Sequence, residues 1–541
     1  MAVGSVGGVY GLSGSGMDID SMVKSLMSGQ QAKEDALIQK KTIAEWQKST
    51  YNTVYDDISK FRDTVFNYKL QGTLTPNKVT SSNTSVATVT AIADAADVTH
   101  SLVVAQLASG VNLTSASSIT TSGASKDTIS SQFYGGTAPT GTYKFTISNG
   151  DASAEIAIDP AGSINDLVSQ INKAGINVKA SYDSTLDRFF MSTTTTGSSA
   201  GITITADDDN DSSWGADFFV DKLKLPSQVS SLGVKGQDAE FMLDGIHLTQ
   251  AKNTFTISGV TYNLTGLSSD LSGADIEAKL ASGTPISISV TNDTDTAVTN
   301  IQNLVDSYNK ILDELNGLIE ETRYSDYPPL TDAQKAEMKD SEITSWEAKA
   351  KSGMLHNDST LTSLVNTMRN SFSSFVSGIT STYDPETGKK TTYNNGASIG
   401  ITTGRDYTEG GKLYLDTDDL RKALNANPNV LYELFGASGT TNADGTTDIK
   451  TQGIAGRLYD GIKVAMDQLN QIASTTANAQ YDTESNYAKK IAEYEKQITL
   501  AEDRFDSMQT AYYKQYNAME VALQQLNSQS TWLSSMLGSS E

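Results

Sequence analysis

The sequence predicts an α+β multidomain fold. Terminal N- and C-helices form a coiled-coil leg, followed by a mixed helical domain and two β-rich head domains. Three observations predict it. Apolar residues recur at heptad spacing near both chain ends. Between about 78 and 290 the spacing switches to strand-like alternation broken by short turns. From 297 to 440 it returns to a helical period. A chain of 541 residues has room for several domains at about 150 residues each.

At the N-terminal end, Tyr51, Val54, Ile58, Phe61, Val65 and Tyr68 step by 3 and 4, with Asp56, Asp57, Lys60, Arg62 and Asp63 between them. That is a helix seam. Leu37, Ala44 and Gln47 extend it upstream. Gly29 is expected to break off an earlier short helix with apolar positions Ile19, Met22, Val23 and Leu26. At the C-terminal end, residues 480–537 repeat the pattern. Tyr487, Ile491, Tyr494 and Ile498 begin it, and Ala501, Phe505, Met508 and Tyr512 continue it. A four-residue step to Tyr516 is a stutter, after which Met519, Leu523 and Leu526 resume. Neither helix can bury its seam alone, so the two chain ends are expected to pair with each other or with a partner's helices. The seam therefore reads either as an intramolecular coiled coil or as an assembly surface. Six of the 23 tyrosines fall in 481–516, and tyrosine is amphipathic and stiff enough for wet interfaces.

The β region carries explicit turn chemistry. TYKFTIS and SAEIAID flank Asn149-Gly150, EFML and IHLT flank Asp244-Gly245, and TFTIS and VTYNL flank Ser258-Gly259. Such pairs suit hairpins whose turn residues have positive φ. Ser163 followed by Asp166 marks a capped helix, SINDLVSQINKAG. The stretches 105–125 and 206–235 read as connections. Farther on, Ile301, Leu304, Val305, Tyr308, Leu312, Leu315 and Ile319 form one helix face. Thr331 and Gln334 form a capping box, and Thr417 is expected to cap DDLRKAL. Residues 450–480 show only loose patterning.

The expected domains follow. Residues 1–45 are a flexible leader and terminal helix. Residues 46–75 with 296–480 form the helical leg domain. Residues 76–110 with 226–295 form an inner β-rich head, 111–225 an inserted outer β-rich head, and 481–541 the C-terminal coiled-coil helix and tail.

Composition excludes several functions. With 40 basic and 64 acidic residues the net charge is −24, which repels phosphate, so nucleic-acid and anionic-membrane binding are not expected. The absence of cysteine removes disulfides, thiolate metal sites and cysteine nucleophiles. No apolar run reaches about 18 residues, so membrane insertion is not expected. Residues 1–17 lack a basic n-region and a continuous apolar stretch. The three histidines, His100, His247 and His356, lie far apart. Ser21-Met22-Val23-Lys24 matches SxxK without its partner motifs. DDDNDSSWG at 207–215 begins like a calcium loop, but Ser212 and Phe218 stand where glycine and glutamate are required. No catalytic, cofactor or metal residues are therefore expected, and an enzyme is not.

The chain resembles the bacterial flagellar filament cap protein, the hook-associated protein 2 family. GLSGSGMDIDSMVKSLM is similar to that family's start. GTYKFTISNG with SINDLVSQINKAGINVKASYD resembles a flagellar head unit. GQDAEFMLDGIHLTQAKNTFTISGVTYNLTGL resembles the family's DAxFxLDG…NTF…GVT segment. DSYNKILDELN, PPLTDAQKAEM, ITSWEAKAKSGML and NDSTL resemble its middle helical domain. ASIGITT, GKLYLDTDDLRKAL and VLYELF resemble the stretch before its last helix. These matches run in order over about 10–535.

The resemblance implies a ring-shaped homo-oligomer at the distal filament tip, outside the cell. Its heads would form a plate, and its terminal helices would grip the filament end. Flagellin would be folded and inserted beneath. The implied partners are flagellin, the hook–filament junction protein and a flagellar export chaperone. On this reading Tyr51, Val54, Ile58, Phe61, Val65, Tyr68, Tyr487, Ile491, Tyr494 and Ile498 form the oligomer seam. Phe505, Met508, Tyr512, Tyr516, Met519, Leu523 and Leu526 contact the chaperone or the filament. Flagellin or a junction protein is a neighbouring reading, but those typically lack the DAxFxLDG and SWExKAKxGxL segments. A surface adhesin binding host glycan or mucin through its β heads is the alternative from another class.

Overall fold

In a computed structural model of the chain, residues 18–120, 127–136, 141–206, 217–268, 273, 275–383, 388–404 and 409–538 are described. The rejected calcium loop at 207–215 lies outside them apart from its expected closing position, Phe218.

The chain opens with α1 (Ile19–Asn67) and the one-turn α2 (Gln71–Leu74). A β-rich stretch follows. It runs β1 (Asn77–Ser81), β2 (Ala87–Ala91), β3 (Thr99–Gln106), β4 (Asn112–Thr114) and α3 (Ile129–Tyr134). Next come β5 (Tyr143–Asn149), β6 (Ala152–Ile158), α4 (Ile164–Lys173), β7 (Val178–Asp183), β8 (Arg188–Thr193) and β9 (Gly201–Ala206). It closes with β10 (Val234–Lys235), β11 (Ala239–Leu243), β12 (Ile246–Gln250), β13 (Thr254–Ile257), β14 (Val260–Leu264), α5 (Ile276–Ser282) and β15 (Ile286–Asn292). Helices return as α6 (Thr294–Glu320), α7 (Asp332–Ala336), α8 (Asp340–Lys351) and α9 (Ser359–Ser373). After short strand pairs come α10 (Thr417–Ala426), α11 (Ile454–Ala473) and α12 (Asn486–Leu537). The α+β multidomain expectation is therefore met.

The chain divides into two compact units, one of Thr75–Asp293 and the other of the chain on either side of it. In the helical unit the core is built on the second half of α1. Val54, Ile58, Phe61, Val65 and Tyr68 are buried with Ile301, Tyr308 and Leu312 of α6, Leu364 and Phe372 of α9, and Leu458 and Ile462 of α11. Phe61 meets Tyr308 edge-on, with ring centroids 6.4 Å apart, and Tyr308 meets Phe372 at 5.1 Å. The Tyr68 hydroxyl donates to the Asn300 carbonyl at 2.6 Å.

This corrects the expected pairing. Residues 54–68 pack into a helical bundle, not against the C-terminal helix, and of the seam from Tyr51 to Tyr68 it is Tyr51 that meets that helix, with ring centroids 5.7 Å from Tyr487. The helix at 454–473, which the loose patterning hid, lies in the same core. A Cβ at its Gly461 would sit 2.4 Å from the Thr367 side chain, so glycine there lets α9 approach closely. Gly29 does not break α1. It lies on an exposed face with open space around it, so its cost is only propensity, about 1 kcal/mol. The C-terminal helix starts at Asn486, with Ser485 accepting from the Ala488 N–H.

One buried cation organises the loops of this unit. Arg457 on α11 is 6% exposed. Its guanidinium donates to the carbonyls of Ile449 (2.8 Å), Ser374 (3.0 Å), Phe375 (2.8 Å) and Lys450 (3.1 Å). A rigid fork with five donors suits that four-carbonyl cradle.

The other unit contains two β bodies. In the first, the sheet β1-β15-β3-β11-β12 faces the sheet β13-β14-β2 across a core of Leu102, Val104, Phe241, Tyr262, Ile286 and Ile288. Phe255 stacks between Phe241 and Tyr262, with centroids at 4.7 and 5.6 Å. Asp244-Gly245 and Ser258-Gly259 turn with positive φ throughout, as a type I′ turn requires. In the second body, the sheets β10-β9-β5-β6 and β4-β8-β7 share a core with α4 around Phe145, Ile147, Phe189, Ile202 and Ile204. The 206–235 stretch is more than a connection, because Phe218 and Phe219 are fully buried in that core. Likewise β4, within the other expected connection, pairs with β8. Val229 is buried in the second core and β10 pairs with β9, so this body extends beyond residue 225.

The chain enters and leaves the second body through one narrow neck. Ser109 and Gln237 exchange both backbone hydrogen bonds, at 2.8 and 3.0 Å. A Cβ on Gly236 would sit 2.3 Å from the Ser109 carbonyl oxygen and 2.6 Å from that of Gly197. Only glycine allows backbones to approach this closely. Ser198 ties the neck by donating from its N–H and hydroxyl to Asp238, at 2.7 and 2.6 Å.

The antiparallel helix pair as a candidate docking site

The first half of α1 has no bundle around it. It lies antiparallel to α12, and three cross-contacts fix the register. The Tyr513 hydroxyl donates to Asp20 at 3.0 Å, Lys41 pairs with Glu495 at 3.0 Å, and Lys48 pairs with Asp482 at 2.7 Å just before α12. A single polar contact of this kind contributes little, but three in one register specify the alignment.

The pair is anchored at its base. Tyr51 donates to Asp358 at 2.5 Å and packs on Tyr487. Asp482 holds the turn into α12 by accepting from Lys48, from the Ser485 hydroxyl at 2.6 Å, and from the N–H groups of Ser485 and Glu484. Burial alone would push its carboxyl up, but these donors outweigh it and bring its pKa to about 2. A depressed carboxylate pKa stabilises the fold above the unfolded value of about 3.9, and that stability is lost as pH falls through about 2. Asp482→Asn is therefore expected to cost about 2 kcal/mol at pH 7. It should also flatten the loss of thermal stability that the native protein shows between pH 4 and 2. Melting curves across that range check this, and an unchanged pH profile would show that Asp482 is not the group responsible.

At the far end of the pair, Ile19, Val23 and Met27 are buried against Phe505, Met508, Tyr512, Tyr513 and Tyr516. Met22 and Leu26, which the spacing placed on the apolar face, are exposed, and Met27 takes their place. The unbroken helix through Gly29 sets that phase. On α12, Tyr487, Ile491, Tyr494, Ile498, Phe505, Met508, Tyr512 and Tyr516 are all half-buried. Beyond Tyr516 the stripe is more exposed, although Glu520 is buried. Met519 is 39% and Leu526 59% exposed, and Leu523 is half-buried. Trp532 and Leu533, which the seam spacing did not include, are exposed on the same tail. The structure thus splits the expected site residues in three. Val54 to Tyr68 lie in a bundle core, Tyr51 and Tyr487 to Tyr516 in the helix pair, and Met519, Leu523 and Leu526 on the half-buried to exposed end of α12. The three polar pairs that set the register were missed, since one helix's spacing says nothing of its partner's charges.

No helix among the described residues is long and apolar enough to cross a membrane, and no group of three or more His, Cys, Asp or Glu side chains is placed to hold a metal. His247 accepts or donates at Glu240 (2.8 Å), and His100 does so at Asp244 (2.6 Å), both on the first β body.

A two-helix stalk on a helical bundle, with β-rich bodies inserted in the chain between its halves, is the architecture of a structural protein. Residues 236–528 match the family model of the flagellar hook-associated protein 2 C-terminus, and residues 15–111 that of its N-terminus. The chain belongs to the flagellar hook-associated protein 2 family, whose place is the flagellum. Flagellar hook-associated protein 2 of Halalkalibacterium halodurans is 29% identical, over 95% of this chain and 97% of that one. Its Escherichia coli K12 namesake is 23% identical over 96% of both. The crystal structure of the D1-D2-D3 domains of the flagellar cap protein from Escherichia coli aligns with a TM-score of 0.52 at 20% identity. It covers 82% of this chain and 99% of that one, a likeness of fold.

Proposed function

We propose that the protein caps the distal end of the flagellar filament. It assembles as a ring-shaped homo-oligomer whose β bodies form a plate, with the helical parts as legs. Exported flagellin folds and inserts beneath the plate, and the filament elongates. The observation that carries this reading is the α1–α12 pair. Its seam is half-buried, rich in tyrosine and continued by the exposed apolar side chains Met519 and Leu526, so it can hold a neighbour and release it. No covalent chemistry is required. The domain division expected from the sequence serves the same reading, with two inserted bodies forming the plate.

The stripe Phe505, Met508, Tyr512, Tyr516, Met519, Leu523 and Leu526 is the surface for the filament end, and before export for a flagellar export chaperone. The half-buried seam from Tyr487 to Ile498 lies nearest the bundle and serves contacts between copies. The hook–filament junction protein is the neighbour at the start of filament growth. A cysteine-free chain suits passage through the flagellar secretion channel and life outside the cell.

Deleting the gene is expected to leave hooks without filaments in electron micrographs, with flagellin lost to the medium. Purified full-length protein restores filaments, while a chain ending at Arg504 does not and no longer binds the chaperone. Normal filaments in the deletion strain would remove the cap reading. Binding of host glycan or mucin by the β-rich unit alone would then be measured.

A further inference from the structure

The helix pair is not uniform along its length. Its far end buries Ile19, Val23 and Met27, and its base buries Ala44 and Tyr51. Between Gln30 and Ala44, α1 buries no residue. One turn into that gap from Gln30 stands Glu34, and the register set by Tyr513–Asp20 and Lys41–Glu495 brings α12 past it near Glu502 and Asp506. Burial disfavours the Glu34 carboxylate, and Glu502, then Asp35 beside it, then Asp506 add repulsion, all holding its pKa above the usual range. Gln31 donates to Asp35, not to Glu34. Among the described residues no Lys or Arg forms an ion pair with Glu34, Glu502 or Asp506. Elsewhere the pair matches opposite charges, at Lys41–Glu495 and Lys48–Asp482.

We propose that this acidic step divides the pair into two parts that open independently. The far part, Asp18–Gln30 against Phe505–Tyr516, undocks while the base stays closed. The opened face fits an amphipathic partner helix that carries Lys or Arg one turn beyond its apolar stripe, where it meets Glu502 and Asp506. Both features of the partner match the opened face: an apolar cluster to cover, and an unmatched negative step beside it. This rests on the reading of 505–526 as a docking stripe. Opening itself is read on the protein alone, so a failed chaperone assay leaves that measurement standing.

The chain has no native cysteine, so spin labels can be placed at will. One pair joins Ser25→Cys to Lys514→Cys at the far part, and another joins Lys40→Cys to Ala492→Cys at the base. Samples are diluted with unlabelled full-length chain. The far pair is expected to show two distances and the base pair one. Glu34→Leu, or the milder Glu34→Gln should the first perturb folding, is expected to lower the open fraction roughly fivefold by removing a desolvated like-charge contact. A single short far distance in the unsubstituted background overturns the proposal, as does equal broadening at both pairs. Two synthetic helices with the same leucine stripe, one with lysines at the step and one with glutamates, test the partner. The lysine helix is expected to bind about tenfold tighter, as two matched charge pairs supply. Equal binding overturns the partner assignment.

Discussion

Phe61→Asp is expected to unfold the helical unit while leaving the β-rich unit intact. Phe61 is 5% exposed and packs edge-on against Tyr308. Removing a buried phenyl ring costs about 3–5 kcal/mol. The new carboxylate finds no buried cation there, which adds several kcal/mol or forces it to stay protonated. A domain is stable by only about 5–15 kcal/mol, so the bundle should lose its cooperative transition. Ile498→Asp, placed by spacing on an equivalent seam, is expected to cost about 1 kcal/mol. Ile498 is only half-buried and its aspartate can turn to water. Hydrogen exchange checks both, since α6, α9 and α11 should lose protection in the first variant and keep it in the second. Equal effects would mean that 54–68 and 487–498 share one environment.

The second large effect is expected at Arg457. Arg457→Leu keeps an apolar stem but leaves the carbonyls of Ile449, Ser374 and Phe375 without the guanidinium donor, while that of Lys450 keeps the Ser377 N–H at 2.7 Å. These hydrogen bonds are part-buried, and each carbonyl left without a donor costs up to about 1–3 kcal/mol unless water reaches it. A loss of at least about 3 kcal/mol is expected on that basis. Arg457→Lys should recover part of it, because one ammonium cannot span four carbonyls. Denaturant unfolding gives the magnitude, and proteolysis near 374–378 and 449–451 shows whether the loops detach first. A lysine variant as stable as the native protein would show that charge alone suffices.

These two residues mark what was legible. Hairpins were read well where the turn chemistry is local, as at Asp244-Gly245 and Ser258-Gly259. At Asn149 the turn lies one residue later, over Gly150 and Asp151. The Asn149 side chain is drawn inward, donating to Ile176 and accepting from Gly201, a demand made from far along the chain. The cap of α10 is Asp416, not Thr417, because a carboxylate there accepts from two N–H groups at once. Helix faces were legible, but their partners were not. The same 3–4 spacing serves a two-stranded coiled coil and a bundle wall, and only the rest of the chain distinguishes them. Phe61 and Ile498 looked alike for that reason. Arg457 gave no signal, since its partners are main-chain carbonyls of unremarkable residues. Gly456 and Gly461 weakened the helical pattern of α11, though Gly461 is what brings that helix close to α9.

The chain passes through its bodies like nested brackets. The helical unit opens at α1, the first β body opens at β1, and the second opens at Ser109. They close in reverse order, at Gln237, at β15 and at α12. Each inner bracket leaves through backbone paired with its own entry, Ser109 with Gln237 and Asn77 with Asn292. Order of completion is thereby written into connectivity. For a chain delivered N-terminus first, the innermost body holds all its parts earliest and the first β body follows. Helix α1 must wait more than four hundred residues for α12, a loop whose closure is slow. Through that interval the second half of α1 can already pack with α6, α9 and α11, while its first half, Ile19 to Met27, waits for Phe505 to Tyr516 to cover it.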